Sequence, residues 1–505
     1  MTMLARAAST LALLAPPAAA FAQDVPAANA AQYWGLMARD QLATIAARDD
    51  AGPELNAVIV AKDAATVASE VAAASNLPLQ GRTVLVKDNI ETREWPTTAG
   101  SLALKDNATG RDAPLIVRLR KAGGVVLGKT NLSEWANIRS TSSTSGWSAI
   151  GGLTRNPHAT DRNACGSSSG SGAAVAAGMA WAAIGTETDG SVTCPASVSG
   201  IVGLKPTVGL VSRTWVVPIS ASQDTAGPMA RSVADAALLL NAIAGPDPAD
   251  AATAEAAKHM TDFTAGLAGA SLKGQRVGVL RKMVGNDPRV AQLFDAAVAD
   301  LKRAGAETVE IDYEMPGAMG GAELTVLLYE LREGLGAYLK ASPAKIPVRS
   351  LDDVIAFDND HADAEMRWFR QELFEQAAKT TDAAAYKTAH DDNLRLAGPE
   401  GIDKLLADNK VSLLIAPTVG PAWTTDLVNG DHYNGSIGAT TLAAIAGYPH
   451  LTVPMGAAEG LPVGLSFIGA KWSDHALLLA GAAYERARTA KLPVPSLKPW
   501  MPASQ

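Results

Sequence analysis

The sequence has few of the residues from which metal centres, disulfide frameworks and nucleic-acid interfaces are built. Among its 505 residues are two cysteines and seven histidines, and the histidines are scattered without metal-ligand spacing. The formal charge is −8, and no block of lysine and arginine offsets it. We therefore expect neither a metal centre, nor a nucleic-acid partner, nor binding to an anionic membrane surface.

Long apolar segments are also scarce. After residue 22, no apolar run approaches the ~20 residues that a membrane-spanning helix needs. Residues 1–22 differ, because Arg6 precedes an apolar, alanine-rich segment that ends in Ala20-Phe21-Ala22. This order is typical of a secretory signal peptide cleaved before Gln23, and it predicts a periplasmic or secreted mature chain over residues 23–505. A buried N-terminal helix is the alternative, but two adjacent prolines in the segment would break it.

What remains is an ordinary globular composition, with 48% hydrophobic and 19% charged residues. Strand and helix patterns alternate along it, which favours an α/β fold. The mostly helical residues 323–410 are expected to form a cap over the functional site. We predict one large domain in which a mixed, twisted sheet lies between layers of helices. Strands are predicted at 57–60, 83–86, 125–127, 276–280, 308–311, 413–417, 450–453 and 463–468, and helices at 33–48, 64–74, 114–122 and 288–304.

Two short stretches carry the candidate chemistry. Gly166-Ser167-Ser168-Ser169-Gly170-Ser171-Gly172 runs into a helix of small apolar residues, so it differs from a flexible linker. The second stretch, Thr188-Asp189-Gly190-Ser191, places a serine after a glycine that permits unusual backbone angles. Together they suggest a hydroxyl nucleophile beside a second hydroxyl.

A serine hydroxyl needs a base, because it is unreactive at neutral pH without one. Lys87 ends the apolar run Thr83-Val84-Leu85-Val86, which as a strand would carry the lysine into the interior. Full burial lowers a lysine pKa from about 10.4 by as much as roughly 3 to 5 units. Lys87 is therefore the candidate general base.

These motifs resemble the amidase signature family of Ser-Ser-Lys amide hydrolases, and within it most closely the bacterial peptide amidases. The similarity extends over nearly the whole mature chain, with a catalytic core over about 80–235. It implies that Ser191 is the nucleophile, that Ser167, reached through a cis peptide, bridges to the base Lys87, and that backbone N–H groups of Thr188, Asp189, Gly190 and Ser191 bind the oxyanion. The motifs that carry the resemblance are Val86-Lys87-Asp88-Asn89, the Gly/Ser run, Gly185-Thr186-Glu187-Thr188-Asp189-Gly190-Ser191, Gly203-Leu204-Lys205-Pro206-Thr207 and Gln223-Asp224-Thr225-Ala226-Gly227-Pro228.

The resemblance implies hydrolysis of C-terminal peptide amides by a monomer, without metal or organic cofactor. Two positions depart from the commoner family pattern, since Asp189 stands where many members have glycine and Thr193 where many have arginine. Without that guanidinium, small anionic substrates are less favoured. The alternatives are an aryl-acylamidase, an ester or carbamate hydrolase with the same residues, one component of an amidotransferase, or a non-catalytic binding protein.

Two further motifs match other enzyme classes without their structural context. Residues 123–130 fit the phosphate-loop pattern, but a helix pattern precedes them and their middle is apolar, so Lys129 is interpreted as structural or solvated. Gly166-Ser167-Ser168-Ser169-Gly170 fits a nucleophile elbow centred on Ser168, but residues 161–164 are not predicted to be a strand.

Four other residues near these motifs have simpler interpretations. Cys165 and Cys194 flank the candidate serines, and buried free thiols are favoured over a disulfide. Asp88 and Asp224 are interpreted as orienting backbone or the lysine.

Overall fold

The computed structural model describes residues 25–502 and places an eleven-stranded mixed sheet at their centre. The predicted signal peptide, residues 1–22, lies outside the described residues. Two small two-stranded sheets accompany the large one. In chain order the strands are β1 (Val58–Ala61), β2 (Thr83–Lys87), β3 (Val125–Thr130), β4 (Trp147–Ser148), β5 (Gly152–Leu153), β6 (Arg155–Asn156), β7 (Ala159–Asn163), β8 (Ala182–Glu187), β9 (Val202–Lys205), β10 (Thr225–Ala230), β11 (Arg276–Leu280), β12 (Glu307–Ile311), β13 (Leu413–Pro417), β14 (His450–Ala458) and β15 (Leu461–Ile468).

The strand order in the large sheet is β1-β3-β2-β8-β10-β9-β14-β15-β13-β11-β12. Strands β3, β2 and β8 are parallel to one another, as are β13, β11 and β12. The strands between these two groups pair antiparallel. The predicted α/β class and the mixed sheet within a single domain are confirmed. Every strand predicted from the sequence is present, although β3, β14 and β15 extend further than predicted by two or more residues.

Helices cover the sheet. Helix α8 shows how the local sequence favours a helix. The Asp287 side chain caps its N-terminus, a proline occupies its first turn, and Val290, Phe294 and Leu301 face the core. The helices are α1 (Ala27–Arg48), α2 (Ala64–Ala74), α3 (Pro114–Lys121), α4 (Ser169–Ala176), α5 (Thr193–Val198), α6 (Val233–Ile243), α7 (Ala256–His259), α8 (Pro288–Arg303), α9 (Ala318–Ala341), α10 (Leu351–Asp360), α11 (Ala362–Glu365), α12 (Glu372–Lys379), α13 (Ala383–Ala397), α14 (Lys404–Asn409), α15 (Thr440–Ala446) and α16 (Asp474–Ala487).

Residues 323–410 are mostly helical, as predicted, although α9 begins earlier, at Ala318. Together with Trp135, helices α9, α10 and α12 contribute to a hydrophobic cluster separate from the main core. Whether this region acts as a cap stays a prediction. No helix within residues 25–502 is both long enough and apolar enough to cross a bilayer.

Candidate active site

Lys87 lies where the sequence predicts, in the interior of the protein. All five residues of β2 are buried, and the Lys87 side chain has no exposed surface. Its Nζ lies 2.7 Å from Ser167 Oγ, 2.8 Å from Thr186 Oγ1 and 3.2 Å from Thr186 O. Every one of these partners is uncharged.

This environment changes the acidity of the amine. Burial lowers the pKa of Lys87 to about 7, while the charges of Asp224 and Glu187 act in the opposite direction. A neutral amine has two N–H bonds and one lone pair. With the N–H groups donating to the two oxygens of Thr186, the lone pair faces Ser167, so the geometry suits acceptance of a proton from that hydroxyl.

Ser167 lies in the segment of residues 166–172, the Gly/Ser loop, and its side chain is fully buried. The Gly166–Ser167 peptide is cis, as expected. The loop is closely packed, because a Cβ on Gly170 would lie 2.2 Å from Ala57 O and 2.6 Å from Asn131 O. Glycine is therefore required there for close backbone approach, which explains why this segment is not a flexible linker.

Ser191 lies on a turn between β8 and α5. Gly190 has φ +74°, in the region that favours glycine, and Ser191 is 8% exposed. The Ser168 N–H donates to Ser191 O at 3.1 Å, which joins this turn to the Gly/Ser loop. The Ser191 hydroxyl makes no hydrogen bond within residues 25–502, so the Ser191–Ser167 hydrogen bond that a bridging Ser167 implies is not formed there.

The backbone around Ser191 offers free donors. Within the described chain, the N–H groups of Thr188, Asp189, Gly190 and Ser191 donate to no protein acceptor. The next two N–H groups, of Val192 and Thr193, donate instead to Glu187 Oε2 at 2.7 and 2.9 Å. The four N–H groups predicted to bind the oxyanion thus have no acceptor in the described chain, whereas the two that follow are occupied.

A cavity of about 440 Å³ opens beside these groups. Gly166, Gly190 and both cysteines line it, together with apolar side chains that include Met283, Met315 and Ile437. Its lining has two carboxylates, Asp189 and Asp431, and no lysine, arginine or histidine.

Asp189 is half-buried, and its Oδ2 accepts a hydrogen bond from Thr441 Oγ1 at 2.7 Å. Burial raises the pKa of Asp189 to about 6. Thr193, the other departure from the family pattern, is buried and its hydroxyl points to Glu187, 3.2 Å from Oε2. Thr193 therefore offers no cationic or hydroxyl contact to the cavity.

The expectation that Cys165 and Cys194 stay free thiols is wrong. The two residues form a disulfide with a Cα–Cα distance of 6.0 Å. This separation lies within the range that disulfides span. It arises because the Gly/Ser loop and the turn of Ser191 lie against each other, a proximity that the intervening sequence does not reveal. The disulfide links the segments that carry Ser167 and Ser191.

The two aspartates take the structural roles expected of them. Asp88 Oδ1 pairs with Lys129 Nζ at 3.0 Å, and its Oδ2 accepts from the Thr98 N–H at 3.1 Å. Asp224 accepts from the Thr188 hydroxyl at 2.6 Å and from the N–H groups of Ile219 and Ser220. Asp224 thus orients the loop that precedes Ser191.

The two misleading motifs have structural explanations. Residues 125–130 form β3, and Lys129 is fully buried in an ion pair, which confirms a structural lysine. The prediction that no strand precedes the Gly/Ser loop is wrong, because β7 lies there. That strand forms a small separate sheet with β6, and an isolated bridge joins its Arg162 to Thr424. Ser168 is buried and lies 3.0 Å from Thr186 O, to which its hydroxyl donates.

Sequence reasoning missed Thr186, whose hydroxyl and carbonyl are two of the three contacts of the Lys87 amine. The signal was present, because Thr186 belongs to the motif that contains Ser191. Trp135 and Trp147, for which the sequence leaves both a place along a substrate channel and core packing open, pack against Phe374 and Phe369 respectively. Both tryptophans are buried, and neither is among the residues that line the cavity.

The sequence of the chain is similar to those of known proteins. The model of the family described as Amidase matches residues 42–478. A probable amidase of Arabidopsis thaliana is 38% identical over 460 residues, which cover 87% of this chain and 85% of that protein. One component of the glutamyl-tRNA(Gln) amidotransferase of Halobacterium salinarum is 36% identical over 431 residues, covering 82% and 97%.

Among solved structures, the native peptide amidase of Stenotrophomonas maltophilia is similar to this chain. It has 46% sequence identity and a TM-score of 0.86, with 92% of this chain and 96% of that chain covered. A peptide amidase in complex with the competitive inhibitor chymostatin has 47% identity and a TM-score of 0.87, with 92% and 97% covered.

Proposed function

The chain belongs to the amidase family and is an amide-hydrolysing enzyme, and we propose that it acts through Ser191 as nucleophile, Ser167 as proton relay and Lys87 as base. The observation that carries this proposal is the 2.7 Å contact between Lys87 Nζ and Ser167 Oγ, both fully buried. A buried amine whose pKa is lowered to about 7 and whose partners are all neutral is poised to accept a proton near neutral pH.

The proposed reaction begins when substrate enters the cavity and the Ser191 hydroxyl turns to donate to Ser167. Catalytic hydrogen bonds often tighten only when substrate binds. As Ser191 Oγ attacks the amide carbon, its proton moves to Ser167 Oγ and the Ser167 proton moves to Lys87 Nζ. The developing oxyanion accepts from the free backbone N–H groups of residues 188–191, which stabilises the tetrahedral intermediate.

Collapse of the intermediate breaks the C–N bond. The proton on Lys87 returns through Ser167 to the leaving nitrogen, which departs as ammonia or an amine. Water then attacks the ester on Ser191 with the same relay as base, and the carboxylic acid leaves. The enzyme regains its starting protonation state at the end of the cycle.

We propose C-terminal peptide amides as the substrates. Similarity to peptide amidases supports this proposal, as does the cavity, whose volume of about 440 Å³ has room for more than a small acyl group. With two carboxylates and no cationic side chain in its lining, the cavity favours a neutral amide over an anionic substrate. The product carboxylate would be repelled from the same cavity.

A panel of substrates tests the proposal. Ammonia release from peptides with C-terminal amides is measured beside hydrolysis of an anilide, an ester and a carbamate of the same acyl group. We expect the highest kcat/KM for the peptide amide and no turnover by Ser191→Ala. A higher kcat/KM for the anilide would contradict peptide amides as the substrates. Activity retained in Ser191→Ala would contradict Ser191 as the nucleophile.

The amidotransferase alternative rests on similarity to one component of such an enzyme. It is tested by the purified chain alone. Hydrolysis of peptide amides without an added partner supports an independent hydrolase. We also propose that this hydrolase is a monomer, because all of the candidate catalytic groups come from one chain. Light scattering of the purified protein measures that state, and activity that required a second protein would contradict this part of the proposal.

We propose further that the mature enzyme is exported. The Cys165–Cys194 disulfide supports export, because disulfides persist in oxidising compartments such as the bacterial periplasm. Expression of the full chain in a Gram-negative bacterium, followed by fractionation and N-terminal sequencing, is expected to give a periplasmic protein beginning at Gln23. An intact N-terminus in the cytoplasmic fraction would contradict export.

A further inference from the structure

Glu187 is a buried carboxylate that the proposed reaction does not use. It is the last residue of β8 and has no exposed surface. Its Oε2 accepts from the N–H groups of Val192 and Thr193 at 2.7 and 2.9 Å, and from the Thr193 hydroxyl at 3.2 Å. A carboxylate hidden from water thus binds the first two residues after Ser191.

These contacts set the shape of the turn. The chain leaves β8 at Glu187, passes through Ser191 and returns to the same side chain at Val192, so the carboxylate closes a loop around the candidate nucleophile. The N–H groups of Val192 and Thr193 are thereby occupied, whereas those of residues 188–191 have no acceptor within the described part of the chain. The side chain thus holds the two donors after Ser191 and leaves the four up to and including Ser191 unoccupied.

The charge of Glu187 also acts on two buried lysines. These are Lys87 and Lys205, whose amine is fully buried and has one hydrogen bond among the described residues, to Pro206 O at 3.4 Å. The other charged groups that act on Lys87 and Lys205 are Asp224 on the first, and Asp474 and Asp189 on the second. His450 also lies near Lys205.

We propose that Glu187 is a positioning residue for amide hydrolysis, which fixes the turn that carries Ser191 and supplies one of the negative charges that act on the two buried lysines. This inference rests on the proposed role of Ser191. Because Glu187 is not among the residues that line the cavity and its contacts near Ser191 are with Val192 and Thr193, it acts through the backbone of those two residues.

Two variants separate the hydrogen bonds from the charge. Glu187→Gln keeps an oxygen that can accept from both N–H groups but removes the charge, whereas Glu187→Ala removes both. We expect Glu187→Ala to lower kcat about 100-fold with little change in KM, because two buried donors lose a charged acceptor. In Glu187→Gln, most of kcat should be retained at pH 8 and the acid limb of kcat should move to lower pH, since the charge that raised the pKa of Lys87 is gone.

Asp300→Asn is the matched control. Asp300 is 2% exposed and binds the N–H and the hydroxyl of Thr489, at 2.8 and 2.9 Å, in a contact that resembles that of Glu187 with Thr193. It lies on α8 and is not among the residues that form the candidate site. This variant is expected to keep both the kcat and the pH profile of the wild type, although its melting temperature should fall.

The inference is overturned if Glu187→Ala keeps kcat within threefold of the wild type, or if the acid limb of Glu187→Gln coincides with that of the wild type. If Glu187→Ala does not yield folded protein, Glu187→Gln decides alone. Labelling of the wild type with an aromatic sulfonyl fluoride, located by mass spectrometry, tests the premise separately. Modification at a residue other than Ser191 would contradict the proposed role of Ser191. Modification at Ser191, with kcat and its pH profile unchanged in the Glu187 variants, would contradict only the role of Glu187.

Discussion

Two lysines on neighbouring strands are both fully buried, yet they lie in opposite surroundings. Lys87 ends β2 and Lys129 lies in β3, where it is paired in register with Val86. The Lys129 amine has the Asp88 carboxylate at 3.0 Å and Ile90 O at 2.7 Å. The Lys87 amine has two hydroxyls and a carbonyl. The difference teaches that a direct carboxylate partner gives a buried lysine a structural role in an ion pair, while neutral partners favour loss of the proton from the other.

Burying the Lys87 amine among neutral groups has an energetic cost. Lowering the pKa of Lys87 from 10.5 to about 7 corresponds to about 5 kcal/mol of lost preference for the charged form. Functional sites often hold groups perturbed in this way. The ion pair of Lys129 has the opposite consequence, since removing one partner would leave a buried charge uncompensated.

The largest effect is expected on activity. Lys87→Ala removes the base, so kcat for amide hydrolysis at pH 7 should fall by about 10⁴-fold, towards the upper range of contributions from positioned bases. The folded structure should persist, because the groups in direct contact with the amine are uncharged and no ion pair is broken. Steady-state ammonia release with circular dichroism as the control measures both, and a variant with near wild-type kcat would break the contrast between the two lysines.

The reciprocal change should act mainly on stability. Lys129→Met leaves Asp88 buried without its cation, and we expect the free energy of unfolding to fall by about 3 to 5 kcal/mol. The kcat of the folded fraction should remain within about tenfold of the wild type. Urea denaturation provides the measurement. Adding Asp88→Asn should recover part of the loss, and a single variant as stable as the wild type would contradict the structural role of the ion pair.

A third prediction concerns the disulfide, which constrains the site without contacting either lysine. Replacing both cysteines by alanine should lower the free energy of unfolding by about 3 kcal/mol, the loss expected for a bridge across 29 residues. Since neither sulfur takes part in the proposed proton relay, kcat should change less than tenfold. Thermal unfolding of the double variant and of the reduced wild type should agree, and unchanged stability in both would count against a structural bridge.

Much of this arrangement is predictable from local sequence. The apolar run that ends in Lys87 predicts a buried strand, and the glycines around Ser167 and Ser191 predict unusual backbone, because both signals reside within a few residues. The partners of Lys129 and the Cys165–Cys194 bridge depend on which distant segments meet.

The same limit explains the remaining differences. Thr186 approaches the Lys87 amine because β8 pairs with β2, and β7 forms because a short neighbouring strand is available. Neither pairing is encoded in a local pattern.

The most direct test of the neutral Lys87 base is the pH dependence of Ser191 acylation. The rate constant for labelling by a neutral sulfonyl fluoride is measured from pH 5 to pH 9, with Ser191→Ala as the blank. Because protonated Lys87 cannot accept a proton, we predict a plateau above pH 8 and a tenfold fall per pH unit well below an apparent pKa of about 7. A rate that stays constant down to pH 5 would contradict the account.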